Sequence, residues 1–242
     1  MIIGIAAKKQ CGKDSMAGFI KELLPNKKVK QISFAKPLKD FVHEAFDIPK
    51  QNLYGSDADK NYPLCTWGEV FTGMAIKKYG KTDRTLLSAR EILQVVGTDV
   101  MRQGNLTFLH QQYESKARHF IEKKFGRGTQ PFDSIWIDLA IMDIKLLQAR
   151  GELDIAVISD VRFINERVAI ADAGGINIRL HRDTGCEDTI PHPSELELDE
   201  MKDTDFDYFL AEEGNKTLPQ LKAWTTNVLM QANIIEVGGF AV

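Results

Sequence analysis

The stretch that decides the fold is "IIGIAAKKQCGKDSMAGFIKELL", residues 2–24. Its first six residues form a short apolar run rich in isoleucine, which predicts a buried strand over 2–7. In "DSMAGFIKELL" (14–24) the apolar side chains recur at helical spacing, which predicts an amphipathic helix that stops before Pro25. The chain therefore opens with a strand, a glycine-containing turn and a helix.

The turn, "AKKQCGKDS" (7–15), has the form of a phosphate-binding loop with two changes. The strict pattern is G-x-x-x-x-G-K-[ST], but Ala7 replaces the first glycine and Asp14 replaces the Ser/Thr. Backbone N–H groups, the positive end of the helix and the charge of Lys13 can still surround a phosphate, and Gly12 permits close backbone approach. The pattern alone also allows a polar turn that contains Gly-Lys by chance.

Asp14 is the unusual residue of this loop. A carboxylate beside a triphosphate is repelled unless a cation lies between them, or unless it faces away and caps its own helix. Ser15 still offers a hydroxyl in the first helical turn. Either Ser15, or Asp14 through a water bound to Mg²⁺, is suited to hold a metal ion, and the residues leave that choice open.

Along the rest of the chain, short apolar runs alternate with helical patterns. This alternation predicts an α/β protein with the P-loop NTPase three-layer fold, in which helices cover both faces of a mostly parallel sheet of about five strands. Further strands are predicted at 30–35, 154–160, 176–181, 207–214 and 233–237, and helices at 37–46, 88–97, 134–151, 166–175 and 218–231, with a surface helix and a loop within 103–133.

The composition of the 242-residue chain excludes several classes of protein. With 43% hydrophobic and 27% charged residues and a net charge of −3, the chain gives no electrostatic case for binding nucleic acid or a membrane surface. The three cysteines include no C-x-x-C pair, and no apolar run is long enough to span a bilayer. We expect a reduced cytoplasmic protein whose partners are small molecules.

Ligands of parallel sheets bind beyond the carboxyl ends of the strands, so the residues that follow each strand are the candidates for a site. In "DVRFINE" (160–166), Asp160 closes a strand and suits an acidic position that organises Mg²⁺. Arg162 is placed to hold a phosphate with two hydrogen bonds, although Arg162 and Glu166 at i,i+4 also fit a surface ion pair.

Two further stretches carry polar side chains near predicted strand or helix ends. In "AREILQVVGTD" (89–99), Arg90, Gln94 and Gly97 share one helical face, and "GTD" is expected at the helix end; a polar face with a glycine cap explains the same pattern. In "FAKPLKD" (34–40), two lysines follow the second strand. The five histidines show no spacing typical of metal ligands.

Together these stretches resemble the deoxynucleoside monophosphate kinases of tailed bacteriophages. The match covers most of the chain in order, through "GKDS", "A-x-P-L-K-D", "R-x-x-L-Q-x-x-G-T-D", a helical Trp136, "D-x-R-x-x-x-E" and the "H-P-S-E" loop at 192–195. Family loops carry Gly-Lys-Asp followed by Thr or Ser, which explains Asp14, whereas Ala7 departs from the family. The segment 103–133 is longer than the family pattern.

The resemblance implies transfer of the γ-phosphoryl group of ATP, with Mg²⁺, to a deoxynucleoside 5′-monophosphate in the cytoplasm of the host cell. It implies one domain over 1–242, with acceptor-binding or lid insertions around 40–87 and 100–134; a homodimer is left open. The implied catalytic residues are Lys13, Arg162, Asp160 and Arg90; those at ATP are Lys9, Gln10, Cys11, Gly12, Lys13, Asp14 and Ser15; those at the acceptor are Leu38, Lys39, Arg90, Gly97, Thr98, Trp136, Asp160, Arg162 and Glu166.

Two alternatives fit the same motifs. One is a dephospho-coenzyme A kinase or another small-molecule P-loop kinase, which also combines a variant loop with a strand-terminal Asp and arginines. The other is a regulatory or assembly protein that binds a nucleotide without transferring phosphate. The arginines at the strand ends argue against the second, because a nucleotide switch needs no groups to hold an acceptor.

Overall fold

The computed structural model describes residues 1–8, 11–182, 198–212 and 217–235. Several sequence-based expectations lie outside these residues: Lys9 and Gln10 of the loop, Cys186, and the "H-P-S-E" loop at 192–195. The chain divides into two compact units. Unit 1 comprises residues 1–34 and 140–242, and unit 2 comprises residues 35–139.

Unit 1 is built on a parallel five-stranded sheet flanked by helices, so the predicted α/β P-loop kinase fold is confirmed. The elements of this unit are β1 (Ile2–Ala7), α1 (Lys13–Leu23), β2 (Val29–Gln31), β5 (Ile155–Val161), α10 (Ile164–Asp172), β6 (Ile176–Arg182), β7 (Tyr208–Glu212) and α11 (Leu218–Gln231). The strand order is β2-β5-β1-β6-β7.

Strand β1 is the central strand, and this explains its composition. It pairs with β5 on one side and β6 on the other, and all six of its residues are buried. Ile3 and Ile5 belong to the same apolar cluster as Met16 of α1. On the opposite face, a Cβ added at Gly4 would lie 2.6 Å from Ile170 Cδ1 of α10. Helices thus cover both faces of the sheet, as a run of apolar residues without alternation predicts.

Unit 2 is mainly helical and has its own apolar core, which includes Phe41, Trp67, Phe71 and Trp136. Its only described strands pair antiparallel. The elements are α2 (Lys36–Phe46), α3 (Lys50–Tyr54), α4 (Asp57–Asn61), β3 (Pro63–Thr66), α5 (Trp67–Val70), α6 (Gly73–Lys78), β4 (Leu86–Ser88), α7 (Ala89–Gln94) and α8 (Gln111–Phe125), and helix α9 (Ile135–Ala149) contains the boundary with unit 1.

Three predicted elements differ from the structure. The strand predicted at 30–35 is β2 and ends at Gln31, because the chain then turns and Ser33 bonds with its side chain to Asp160. The helix predicted at 88–97 does not stop at Gly97: α7 continues directly as a π-helix over Val95–Arg102. Residues 233–235 of the last predicted strand form a turn and a bend, and 236–237 lie outside the described residues.

The other predicted helices and strands are present within a few residues of their expected bounds, including the surface helix within 103–133, which is α8. The Ser88 side chain caps α7 by accepting a hydrogen bond from the Glu91 N–H. Within the ranges given above, no helix has the length and apolar character needed to cross a membrane.

Candidate functional site

Gly12, directly before α1, has a backbone conformation that suits the end of an anion-binding turn. Gly12, the residue before α1, has φ 89°, a left-handed conformation that only glycine adopts without strain. Gly12 has no side chain with which to cap this end of α1, and within the described ranges no side-chain cap is present, which suits the N–H groups of the first turn to a ligand. Cys11 is buried in the loop, and Lys13 is the first residue of the helix.

The carboxylate of Asp14 is held by side chains from two strands. Gln31 Nε2, at the end of β2, donates to Asp14 Oδ1 at 3.2 Å, and the hydroxyl of Ser159 in β5 donates to the same oxygen at 3.2 Å. Lys13 Nζ lies 3.3 Å from Asp14 Oδ2. The interpretation of Asp14 as a cap of its own helix is therefore wrong: among the described residues, its partners are side chains and not the N–H groups of α1.

Asp160, the next residue of β5, has one satisfied and one unsatisfied carboxylate oxygen. Oδ2 accepts a hydrogen bond of 2.6 Å from the hydroxyl of Ser33. Oδ1 is buried, and no group in the described part of the chain donates to it. Since a buried carboxylate oxygen without a donor is costly, this atom is suited to a ligand that brings a cation or an N–H group.

Glu166 fixes the turn from β5 into α10. It is only 4% exposed, and its Oε2 accepts hydrogen bonds from the backbone N–H groups of Arg162, at 2.8 Å, and Phe163, at 3.2 Å. A surface ion pair is therefore an incomplete description of Glu166, because this carboxylate is buried and bonded to backbone. Arg162 itself is exposed.

In unit 2, Arg90 is held by two residues of α4 that the sequence did not single out. Its Nε donates to Asn61 Oδ1 at 2.9 Å, and its Nη2 donates to Asp57 Oδ1 at 2.7 Å. This leaves the Nη1 edge of the guanidinium without a partner among the described residues. Both bonds are on the surface, since the Arg90 side chain is 50% exposed and that of Asp57 is 79% exposed.

Trp136, Gly97 and Leu38 form one contact within unit 2. The Trp136 indole is 2% exposed, and its N–H donates to the carbonyl of Gly97 at 3.0 Å. These contacts place Trp136 in the core of unit 2. Lys39, from the same turn of α2 as Leu38, lies over the ring of Tyr54 with its Nζ 4.8 Å from the ring centroid.

The "GTD" stretch lies within the π-helix, so the prediction that it lies at a helix end is wrong. Thr98 is exposed, whereas Asp99 is buried and accepts hydrogen bonds from Lys78 and from the Tyr79 hydroxyl. Burial, and then the bond to Asp99, raise the pKa of Tyr79 above its ordinary value. Asp99 thus connects the π-helix to the end of α6.

The absence of a side chain at Gly97 leaves the space that Leu38 fills. We therefore expect the effect of Gly97→Ala on stability to change sign when Leu38 is replaced by alanine. An added Cβ would lie 2.6 Å from Leu38 Cδ2, and Leu38 is packed against the core of unit 2. We expect Gly97→Ala to lower the free energy of unfolding by about 1 kcal/mol through overpacking. In a Leu38→Ala background the same change should raise it by a few tenths of a kcal/mol, because alanine favours helix. Urea unfolding of the four variants measures both; equal effects in the two backgrounds would contradict the contact.

A charged cleft of about 380 Å³ in unit 2 is lined by Lys36, Asp40, His43, Glu44, Lys50 and Tyr54. Partial burial of Asp40 raises its pKa, but the hydrogen bonds from Lys36 and Tyr54 outweigh burial, so the pKa lies below its ordinary value. The Tyr54 hydroxyl donates to Asp40 Oδ1 at 2.5 Å.

The lowered pKa of Asp40 predicts a pH-dependent contribution to stability. Because the folded-state pKa is the lower one, the stabilisation is present above about pH 4 and is lost as the pH falls through the folded-state value. Solvent screening limits it to about 0.5 kcal/mol. The difference in unfolding free energy between wild type and Asp40→Asn, measured from pH 7 to pH 3, should shrink at acid pH. A constant difference would contradict the assignment.

The residues at the loop fit a Mg²⁺ ion that is bound together with nucleotide phosphates. Within the described ranges, no group of three or more His, Cys, Asp and Glu side chains is close enough to hold a metal alone. Mg²⁺ commonly takes one or two carboxylates and completes its shell with phosphates and water, and Asp14 offers an exposed carboxylate directly after the loop lysine. The unsatisfied Oδ1 of Asp160 is a second acceptor in the same unit.

Comparison with known proteins gives one informative similarity. No family model matches the chain. The chain is 27% identical over 220 residues to a protein named "Putative deoxynucleotide monophosphate kinase" of Acanthamoeba polyphaga mimivirus, with 91% of each chain covered. This relative agrees with the nucleotide kinase motifs found in the sequence. The bacteriophage part of that resemblance stays a prediction, as do the individual site residues.

Proposed function

We propose that this protein transfers the γ-phosphoryl group of ATP to a deoxynucleoside 5′-monophosphate. The observation that carries the proposal is the similarity to the mimivirus protein, which covers 220 residues and is therefore longer than either unit of the chain. A P-loop kinase fold with an uncapped, glycine-led helix after β1 supports the ATP part of the proposal.

The chemistry needs little from a general base. The acceptor is a phosphate oxygen that is largely ionised at neutral pH; it forms a bond to the γ-phosphorus while the bond from that phosphorus to the β–γ bridging oxygen breaks, and ADP leaves. The difficulty is to bring two polyanions together, so the protein contributes cations and positioning.

On the donor side, we assign the ATP phosphates to the loop from Lys9 to Ser15. The N–H groups of the first turn of α1 and the ammonium of Lys13 would bind phosphate oxygens. Asp14 or Ser15 would hold Mg²⁺, which when bound neutralises charge on the β- and γ-phosphates. The side chains of the loop thus bind and orient the donor.

On the acceptor side, we assign the phosphate to Arg162 and Arg90. Glu166 holds the backbone at Arg162, and Asp160 would orient this arginine or the waters of the metal. Leu38, Lys39, Gly97, Thr98 and Trp136 would complete the acceptor side, with Trp136 acting from the core through its bond to Gly97.

A coupled assay of ADP release tests the proposal. The purified chain is incubated with ATP and Mg²⁺ and, in turn, with each deoxynucleoside and ribonucleoside monophosphate and with dephospho-coenzyme A. We expect ADP release with one or more deoxynucleoside monophosphates. Release with dephospho-coenzyme A alone would replace the proposal with that kinase, and ATP binding without transfer to any acceptor would favour a non-catalytic nucleotide-binding protein.

A further inference from the structure

The geometry points to Gln31 and Ser159 as positioning residues that hold the Asp14 carboxylate for a divalent cation at the phosphate loop. This inference rests on the ATP and Mg²⁺ part of the proposed function, and it goes further by choosing Asp14 over Ser15. Neither Gln31 nor Ser159 belongs to a motif recognised in the sequence.

The three side chains form a closed triangle of hydrogen bonds. Gln31 Nε2 donates to Asp14 Oδ1 at 3.2 Å and to Ser159 Oγ at 2.5 Å, and Ser159 Oγ donates to Asp14 Oδ1 at 3.2 Å. An amide NH₂ has two hydrogens and a hydroxyl has one, so all three hydrogens of these groups are used within the triangle.

The proton count fixes the directions of these bonds. The serine hydrogen must point to Asp14, because its oxygen already accepts from Gln31. Asp14 Oδ1 then accepts twice, which suits the ionised carboxylate. The opposite orientation of the Gln31 amide would place its carbonyl oxygen against the carboxylate, so only the orientation with Nε2 toward Asp14 is compatible with the site.

The triangle also determines which part of Asp14 can meet a ligand. Oδ1 is occupied by Gln31 and Ser159, whereas the described partner of Oδ2 is Lys13 Nζ at 3.3 Å, the ammonium expected at the ATP phosphates. The Asp14 side chain is 70% exposed. Its second oxygen is therefore held beside the loop lysine and open to solvent, where a phosphate-bound cation would need a carboxylate ligand.

Ser159 is 5% exposed and lies in β5, so the strand fixes the position of its hydroxyl. Gln31 is the last residue of β2, which pairs with β5 at Gln31 and Val157. Two hydrogen-bonded strands thus support both donors. A carboxylate that accepts hydrogen bonds from fixed donors keeps a more constant orientation toward a metal than a carboxylate without such donors. Loss of such a donor typically weakens metal binding by about 10- to 100-fold.

The test compares metal binding in Gln31→Met, Ser159→Ala and wild type. The affinity for Mn²⁺ in the presence of saturating ADP is measured by electron paramagnetic resonance, and the affinity for metal-free ADP is measured by calorimetry. We expect Gln31→Met to weaken Mn²⁺ binding by about tenfold while metal-free ADP binding changes less than about twofold. Ser159→Ala removes one donor and should have a smaller effect in the same direction.

Gln148→Met is the matched control. Gln148 also lies in unit 1 and also donates from Nε2, but its acceptors are the backbone carbonyls of Met1 and Asp154. This variant should bind Mn²⁺ and ADP as wild type does. Gln31→Glu is the second variant: it keeps the size of the side chain but opposes Asp14 with a like charge, so it should weaken Mn²⁺ binding at least as much as Gln31→Met.

Three results would overturn the inference: wild-type Mn²⁺ affinity in Gln31→Met, an equal loss of metal-free and metal-dependent ADP binding, which indicates only a damaged loop, or no ADP binding by the wild type. The metal-binding test can fail or succeed independently of the proposed phosphoryl transfer. If the chain transfers phosphate to no monophosphate but the triangle variants lose Mn²⁺ selectively, the inference holds and the proposed acceptor is wrong. If transfer occurs and Mn²⁺ binding is unchanged, only the inference fails.

Discussion

Lys13→Ala is expected to lower kcat for phosphoryl transfer by about 100-fold or more, the size typical of the loss of one preorganised charge at the transition state. Lys13 is the first residue of α1, and its described side-chain partner is Asp14. The substitution therefore removes a cation from the phosphate loop, and the described ion pair that it breaks is the one with the exposed carboxylate of Asp14. Steady-state kinetics with the best acceptor from the monophosphate panel measures the effect.

Lys21→Ala is the control for this experiment, because Lys21 is an exposed lysine in the last turn of the same helix. It should have wild-type kcat and unfold within about 0.5 kcal/mol of wild type in urea, as surface substitutions usually do, and the same measurement should show a cooperatively folded Lys13→Ala protein. A folded Lys13→Ala protein with near-normal kcat would remove Lys13 from the donor site.

Arg162→Ala is the second large effect, with an expected loss of about 100-fold in kcat/KM for the acceptor. The backbone N–H of residue 162 can still donate to Glu166 in this variant, so the turn after β5 is retained while the guanidinium is lost. Arg162→Lys keeps the charge without the planar pair of donors, and we expect it to recover only part of the activity. Initial rates at varied acceptor concentration separate KM from kcat.

Arg150→Ala serves as its control, since Arg150 is an exposed arginine of unit 1 that directly follows α9. It should behave as wild type in both kinetics and urea unfolding. If Arg162→Ala is folded and retains wild-type kcat/KM for every monophosphate, the assignment of the acceptor phosphate to this arginine is wrong.

The fold of unit 1 could be predicted from the sequence because a strand that is buried on both faces of a sheet is a continuous run of apolar residues. Strand β1 is apolar at each position since it has a neighbour on either side and helices above and below. Gly97 was misread because a glycine after a helical pattern usually marks a helix end. Here its missing side chain makes room for Leu38, a contact that only tertiary structure reveals.

Candidate site residues could be proposed from the sequence where they lie at or soon after the end of a strand, as Lys13, Asp160 and Arg162 do, and their roles stay predictions. Supporting groups were missed because their role depends on pairing between distant segments. Ser33 reaches Asp160 only because β2 ends early, and Asn61 reaches Arg90 from a short helix that shows no clear periodicity. The position of Ser159, one residue before Asp160 in a buried strand, was the available signal for its role.

The strand order has a consequence for how the chain folds. Strand β1 cannot gain either of its neighbours until β5 and β6 exist, although β1 is synthesised first. The residues of unit 2, in contrast, are continuous in sequence and contain their own core. During synthesis unit 2 can therefore fold first, whereas β1, α1 and β2 can form the sheet only after the C-terminal half of the chain has been synthesised. Because closing so long a loop slows pairing, completion of the sheet is expected to limit the overall folding rate.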